Sequence, residues 1–248
     1  MNNRDILIIG ALILGGAIAL ELYTNYADPF IDYAPNSFTN LITDAPQRFS
    51  FYKDGERIGN YSYTLTALNS GGQTLYTLST SVDAVYQGSV LLLNTTHRFL
   101  SATSHLEYTV DTDLAGQVSH VECVFLGDTA GISTSSQGKR QNTTLTLKSN
   151  TVIVDNNDLA HWELLTKSFS PEPGKKYKVN ALVPQGAVIQ TLEFGVDIPH
   201  QFVNIGSKSF ECVVAREPNY EITLYFYEGH MIQYKNEPDG IVIVKQMP

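Results

Sequence analysis

Cysteines and basic residues are scarce in this sequence. Two of its 248 residues are Cys, and 16 Lys and Arg stand against 25 Asp and Glu, which gives a formal net charge of -9 at pH 7. Between Arg57 and Lys139 the only Lys or Arg is Arg98. Because a phosphate-binding face needs clustered Lys and Arg, we expect no nucleic-acid partner.

Recognisable catalytic signatures are missing as well. The sequence contains no G-x-S-x-G, H-E-x-x-H, Walker or dinucleotide-binding pattern, the motifs that carry hydrolytic, metal and nucleotide chemistry. The two cysteines also lack the Cys/His spacing of a zinc site. We therefore expect a protein that is not an enzyme and that has no cofactor and no metal.

What the sequence does contain is a large apolar fraction. Hydrophobic residues make up 43% of the chain and charged residues 17%, which allows a sizeable core and disfavours global disorder. Tyr, Ser, Thr and Asn are plentiful. Such a surface forms hydrogen bonds through hydroxyls and amides, as is common in proteins outside the cell.

One long apolar run lies at the N-terminus. Residues 6–23 carry a single charge, Glu21, and as a helix they would span about 27 Å, close to the hydrocarbon core of a bilayer. Arg4 precedes the run, and no Lys or Arg follows it until Arg48. The positive-inside rule then places the N-terminus in the cytoplasm and the rest of the chain outside.

The same run has a second interpretation, a signal peptide that is cleaved. Residues 17–19 form an A-x-A site behind a short apolar region, as signal peptides do. Apolar character continues past this site through Leu20 and Leu22, which favours a retained anchor. Both alternatives export the chain, and with the retained anchor we expect a single-pass cell-membrane protein with an extracytoplasmic domain.

We divide the chain into an N-terminal transmembrane signal-anchor at residues 1–23, a stalk at 24–46 and a β-domain at 47–248. Pro29, Pro35 and Pro46 punctuate the stalk. Aromatic residues such as Phe30 suit the membrane interface. Packing of these rings on the β-domain is an equal alternative.

The main domain has the composition of a β protein. Segments rich in Thr, Val, Tyr, Phe and Ile are separated by Gly, Asn, Asp or Pro, as antiparallel strands are. In the hairpin FSFYKDGERIGNYSYTL, Asp54 and Gly55 supply the positive φ angles of a tight turn, and a shift of apolar parity at Gly59 predicts a β-bulge. About thirteen strands favour a large antiparallel twisted sheet rolled into a barrel or half-barrel. The other expected strands are 74–86, 90–100, 105–112, 117–126, 141–147, 151–154, 176–183, 188–196, 209–216, 220–227, 231–235 and 241–245.

One short helix is predicted in NNDLAHWELLTKSF. Residues 156–158 are capping candidates, and Pro171 would end the helix. We expect the helix to cover the sheet and to bury Trp162, the only tryptophan, while His161 and Glu163 face solvent. The apolar stripe at spacings of three and four consists of Leu159, Trp162, Leu165 and Phe169,.

Three segments carry a resemblance to known proteins. They are the glycine-punctuated hairpin KDGERIG, the helix and Pro-Gly turn in DLAHWELLTKSFSPEPGKKYKV, and the closing segment VNIGSKSFECVVAREPNYEITLYFYEGHMIQY. In this order they resemble a family of envelope proteins of unknown function whose fold is similar to the curved sheets of lipoprotein carriers. The resemblance covers residues 47–245 and implies a curved sheet, with no catalytic residues to carry over.

Cys123 and Cys212 stand in similar settings, VECVF and FECVV. Each cysteine shares a strand face with two apolar neighbours, so both side chains should face the core. Two such cysteines in an exported protein most often form one disulfide, which we predict here. Two buried thiols on distant strands are the alternative.

His97, His105 and His120 invite a metal-site hypothesis, because they fall on consecutive predicted strands. Tight turns near Ser101 and Ala115 would place His120 about 16 Å from His105 at strand rise. Three ligands cannot converge at that distance, so we expect these histidines to be exposed polar residues.

Three sequons are present, beginning at Asn60, Asn94 and Asn142. In an archaeal or eukaryotic exported chain, such asparagines are glycosylated where their side chains face out. Asn94 shares a predicted strand face with Leu92, so it is a candidate for glycosylation only if that face points towards solvent.

The expected function is binding. We expect a membrane-anchored extracytoplasmic accessory subunit of a membrane or envelope complex, with the membrane and at least one protein as partners. One alternative is a structural subunit of a surface layer or filament, because the final strand IVIVKQ could complete a neighbour's sheet edge. Another is a lipid or lipoprotein carrier-like protein.

Overall fold

A large β-sheet and one helix make up the described part of the chain. The computed structural model describes residues 30–32, 42–43, 45–155, 158–169 and 171–247. The expected membrane anchor and most of the expected stalk lie outside these residues. Among the described residues, no helix is long and apolar enough to cross a membrane.

Seventeen strands form one continuous sheet in this part of the chain. The twelve expected strands outside the hairpin are confirmed, with ends that differ by no more than two residues, while the hairpin extends from Gln47 to Ser70 instead of from Phe49 to Leu65. The strands Ile31–Asp32, Thr129–Ser136 and Gln201–Ile205 were not expected. The strands are β1 (Ile31–Asp32), β2 (Gln47–Lys53), β3 (Glu56–Ser70), β4 (Gln73–Tyr86), β5 (Ser89–Ser101), β6 (Ser104–Leu114), β7 (Gln117–Leu126), β8 (Thr129–Ser136), β9 (Lys139–Thr146), β10 (Thr151–Ile153), β11 (Lys176–Val183), β12 (Val188–Val196), β13 (Gln201–Ile205), β14 (Lys208–Glu217), β15 (Ile222–Tyr227), β16 (His230–Asn236) and β17 (Ile241–Lys245).

The sheet consists of two antiparallel arms. The first arm runs from β2 to β9 and the second from β11 to β17, and pairing of β17 with β2 joins them. β1 and β10 both pair in parallel with β11. In the described part of the chain, the sheet therefore ends at β9 on one side and at β1 and β10 on the other.

The hairpin of β2 and β3 forms as the sequence predicts. Asp54 and Gly55 have φ angles of 50° and 82°, and the register shifts so that Phe51 faces Gly59 and Tyr52 faces Arg57. This confirms the bulge beside Gly59. A Cβ on Gly59 would lie 2.1 Å from the carbonyl oxygen of Asp83, so only glycine allows β3 and β4 to approach this closely.

The predicted helix is confirmed as α1 (Leu159–Phe169). Oδ1 of Asp158 accepts a hydrogen bond of 3.0 Å from the amide of Ala160, which is the geometry of an N-cap. Trp162 is fully buried, but so are His161 and Glu163, and their expected exposure is wrong. The sheet curls around α1, so the helix meets strands on several faces instead of lying across one.

The core has two parts, on opposite faces of the sheet. The main part fills the concavity around α1 and contains Cys123, while a smaller cluster contains Cys212 with Val214 of β14. The alternate β14 residues Val213 and Ala215 face the main part. Cys212 therefore points away from Cys123, both are free thiols, and the predicted disulfide is wrong.

The last strand lies inside the sheet. β17 pairs with β16 on one side and with β2 on the other. The expectation that IVIVKQ completes a neighbour's sheet edge is therefore wrong, because both sets of its backbone groups are already paired.

Parts of the expected stalk contact the β-domain. Ile31 pairs with Tyr177 of β11, and Nζ of Lys178 lies 4.4 Å from the ring centroid of Phe30. The amide of Thr43 donates a 3.0 Å hydrogen bond to a carbonyl of β3. At these points packing on the domain, one of the two alternatives, is the arrangement observed.

Candidate functional site

Buried carboxylates fix α1 to the first arm of the sheet. Asp158, which is fully buried, accepts hydrogen bonds from the hydroxyls of Tyr61 at 2.6 Å and Thr80 at 3.1 Å. Glu163 accepts one of 2.7 Å from the Tyr63 hydroxyl. Because β3 and β4 supply these donors, the start and the middle of the helix are both held against the first arm.

A third buried carboxylate, Asp155, lies just before the helix. Oδ2 of Asp155 accepts a 2.5 Å hydrogen bond from the hydroxyl of Tyr108 on β6. The side-chain amide of Gln185, in the short turn after β11, also donates to Asp155. Asp155 thus connects the second arm with the first.

Three histidines form a buried chain beside these carboxylates. Nε2 of His97 lies 3.1 Å from Nδ1 of His105, and Nδ1 of His97 lies 3.2 Å from Nε2 of His161. Nε2 of His105 lies 3.0 Å from the carbonyl oxygen of Thr151. His97, His105 and His161 are 3%, 8% and 1% exposed, so the expected surface position of His97 and His105 is wrong.

A local irregularity explains this error. The register of β5 and β6 shifts between Arg98 and Phe99 and again before Ser101, so His105 lies opposite Phe99. A shift of this kind turns a side chain to the other face of the sheet. His120 has the expected exposed position, and its Nδ1 lies 2.8 Å from Asp111.

The protons of the histidine chain can be assigned from its end. The Thr151 carbonyl only accepts, so His105 donates from Nε2 and accepts at Nδ1,. His97 then donates from Nε2 and accepts at Nδ1 from His161. Nδ1 of His161 remains, 3.2 Å from Oδ2 of Asp158 and without an aligned hydrogen bond.

The surroundings shift the pKa values of this network. Burial lowers the pKa of His97, with a further contribution from the neighbouring rings, and burial lowers the pKa of His105 to about 4. Both rings are therefore neutral at pH 7. Burial alone would raise the pKa of Asp158. The neighbouring His161 and the hydrogen bonds that Asp158 accepts outweigh this effect, so the pKa of Asp158 lies below its ordinary value. Burial and the facing carboxylates raise the pKa values of Tyr61, Tyr63 and Tyr108.

The histidine chain does not have the geometry of a metal site. His97 uses its two ring nitrogens on opposite sides, for His105 and for His161, so the three rings share no common point. Within the described residues, no group of three or more His, Cys, Asp or Glu side chains could hold a metal ion. The cavity beside the three rings has a volume of about 20 Å³, which is room for one water molecule.

An apolar cleft lies in the same concavity, beside β17. Two adjoining cavities of about 370 and 260 Å³ form it and share Phe51, Leu91, Leu114 and Ile241. We call the larger one the outer part and the smaller one the inner part of the cleft. These volumes match the size of small-molecule sites, which are mostly apolar with a few polar groups.

Polar side chains line both parts of the cleft. At the outer part these are Lys53, Tyr86, Gln87 and Ser89, and at the inner part they are Thr112, Gln185 and Tyr234. Gln185 is the residue that also donates to Asp155. The inner part of the cleft therefore adjoins the buried network that holds α1.

Two other cavities are larger. One of about 610 Å³ lies at the end of α1, where Lys167, Glu172, Glu211 and Glu228 line it. Another of about 550 Å³ lies between β7 and β9 and is lined mainly by Ser, Thr and Gln. The first carries four charged side chains and the second is lined mainly by polar ones, whereas no charged side chain lines the inner part of the cleft.

The three sequon asparagines are on the surface. Asn60, Asn94 and Asn142 are all exposed, and Leu92, on the same face as Asn94, is 41% exposed. All three side chains thus have the orientation that glycosylation requires, and whether they are glycosylated stays a prediction.

Comparisons with known proteins give structural similarity only. No protein-family model matches the chain, and no curated protein matches it. A DUF1089 family protein from Pseudomonas aeruginosa is similar in structure with a TM-score of 0.42 and 11% identity, over 71% of this chain and 89% of that one. A β-barrel-like protein of domain of unknown function DUF1849 from Brucella abortus gives a TM-score of 0.45 and 13% identity, over 82% of this chain and 95% of that one. Neither comparison supports the resemblance to lipoprotein carriers.

Proposed function

We propose that this chain is a membrane-anchored, extracytoplasmic binding protein that holds an elongated apolar ligand, such as a lipid chain, in the cleft. The observation that carries the proposal is the pair of adjoining cavities with a shared apolar lining. The anchored location rests on the sequence of residues 6–23,. An anchored domain works beside a bilayer, where long apolar molecules are the most abundant small ligands.

The position of the cleft supports a ligand rather than a protein partner. Leu91 and Ile241 line it from two neighbouring parts of the curved sheet, so the cleft is concave. A folded partner needs a broad surface, whereas a concave apolar cleft of this volume suits a small ligand. The surface-layer alternative rested on a free edge at the final strand, and β17 is already paired on both sides.

Photo-crosslinking in membranes tests this proposal. The full-length chain is incubated in lipid vesicles with a photoreactive long-chain lipid, and labelled peptides are identified by mass spectrometry. We expect labels on peptides from β2, β5 and β17 in addition to the N-terminal segment.

Leu91 and Leu92 provide a matched pair of variants. Leu91 lines both parts of the cleft, whereas Leu92 points outward. Leu91→Trp should fill the cleft and reduce its labelling by about tenfold, as a blocked apolar site does, and Leu92→Trp should leave labelling unchanged. Labels confined to the N-terminal segment, or equal labelling of the two variants, would refute the proposal.

A further inference from the structure

The inner part of the cleft contains an unpartnered hydroxyl. Tyr234 on β16 lines this part and is 2% exposed, yet its hydroxyl makes no hydrogen bond with any described residue. The side chain of Asn236 lies near it without hydrogen-bond geometry. Buried hydroxyls are nearly always bonded to protein or water, so a group that enters the cleft has a hydrogen bond to gain here.

The charges around this hydroxyl favour a neutral group over an anion. Burial raises the pKa of Tyr234, the nearby side chain of Asn236 lowers it, and the carboxylates of Asp239 and Asp155 raise it further. The net shift is upward, so the phenol keeps its proton and remains a donor. The same carboxylates would repel a ligand carboxylate or phosphate. Among the described residues that line the inner part, none is a cation.

The neighbouring side chains complete a site for an alcohol. Gln185, which lines the inner part, donates from its amide nitrogen to Asp155 and Tyr108, and its amide oxygen can accept a hydrogen bond. Thr112 lines the same part. A hydroxyl is both donor and acceptor, so a ligand alcohol can accept from Tyr234 and donate to Gln185 or Thr112.

We propose that the ligand is a neutral long-chain alcohol, with its hydroxyl bound to Tyr234 at the inner part and its apolar chain in the outer part. This inference rests on the proposed function, since it assigns the ligand class of the same cleft. Tyr234 is then the residue that determines specificity.

Three probes of equal length test the inference. Photoreactive chains that end in a hydroxyl, a carboxylate or a methyl group are presented in vesicles to the full-length protein. We expect the alcohol to label cleft peptides at about tenfold lower concentration than the other two, the gain typical of one buried hydrogen bond.

Two conservative variants separate specificity from packing. Tyr234→Phe keeps the ring and removes the hydroxyl, so it should lower labelling by the alcohol about tenfold, to the level of the methyl-ended chain. Tyr225→Phe, on the opposite face of the sheet, should change nothing.

The outcomes distinguish the two proposals. If all three probes label the cleft equally in the wild type, or if Tyr234→Phe has no effect on the alcohol, the hydroxyl is satisfied by a buried water and this inference is wrong while the binding function stands. If no probe labels cleft peptides, the proposed function itself is wrong.

Discussion

Individual buried histidines make stability depend on pH. The pKa of His105 is lowered to about 4 in the folded protein, against about 6.5 in an unfolded chain. Between these values the unfolded state binds a proton that the folded state does not, so stability is full above about pH 6.5 and falls as the pH decreases towards 4. For His105 alone the loss is about 3 kcal/mol, and His97 acts in the same direction.

Urea unfolding followed by fluorescence at pH 7.5, 6, 5 and 4 measures this dependence. We expect His105→Gln to flatten the decrease below pH 6.5. His120→Gln is the control, since His120 is exposed and contacts Asp111 at the surface, and it should keep the wild-type profile. Equal stability of the wild type at pH 6.5 and 4.5 would contradict the assignment of neutral buried rings.

The two cysteines give a second prediction at this scale. Both thiols are free and fully buried, and burial raises the pKa of Cys123 to about 12, so neither should react with alkylating reagents in the folded protein. In denaturant without a reducing agent, both should react. Intact mass spectrometry counts the adducts. If the two adducts appear only after reduction, Cys123 and Cys212 form a disulfide and the prediction of two free thiols is wrong.

At the scale of elements, α1 depends on Trp162. Its ring packs against Phe194 and Tyr234, with centroids 5.9 and 6.4 Å away. We expect Trp162→Ala to lower the free energy of unfolding by about 3–5 kcal/mol, the range for an emptied aromatic site. Leu126→Ala, at a 77% exposed position of β7, should cost less than about 0.5 kcal/mol. Chemical denaturation measures both, and similar losses would place Trp162 outside the core.

The close contact of β3 with β4 depends on Gly59. A Cβ at this position would meet the backbone of Asp83 and Ala84 at 2.1 and 2.5 Å, so Gly59→Ala must push the strands apart and should cost about 1–3 kcal/mol or more. Gly195 of β12 has open space around it, and Gly195→Ala should be neutral or slightly stabilising. Thermal unfolding of the two variants compares them directly.

Regular elements could be predicted from the sequence, while the register between them could not. Alternation predicted the strands, and the stripe through Trp162 predicted α1. The position of His105 depends on irregularities between Arg98 and Ser101, which alternation does not reveal. The sequence did hold one signal, because His97 shares a strand face with Leu93 and Phe99.

The long-range arrangement of the site was beyond sequence reasoning for a physical reason. Tyr61 and Asp158, or Tyr108 and Asp155, are far apart in the chain and meet only because the sheet curls. Likewise, the faces of Cys123 and Cys212 were expected to be apolar, and they are, but they belong to opposite sides of the sheet. A local sequence pattern shows that one face of a strand is buried, but it does not show which part of the core that face joins.

For the whole molecule, β17 is the strand that joins the two arms. We expect a chain that ends at Gly240 to lose cooperative unfolding, because β2 and β16 would both lose a neighbour. Deletion of residues 246–248 removes no strand of the sheet and is the control. Circular dichroism melting measures both, and a cooperative transition in the shorter chain would show that each arm is stable alone.

The pairing of β2 with β17 also sets the timing of folding. These strands come from opposite ends of the domain, and at ribosomal speeds of about 5–20 residues per second the second emerges about 10–40 s after the first. During that interval the edge of β2 has no partner, and such non-local pairing is slow to form. The nascent domain therefore stays open until synthesis is nearly complete, and the rate at which β17 is delivered to β2 limits how early the whole sheet can close,.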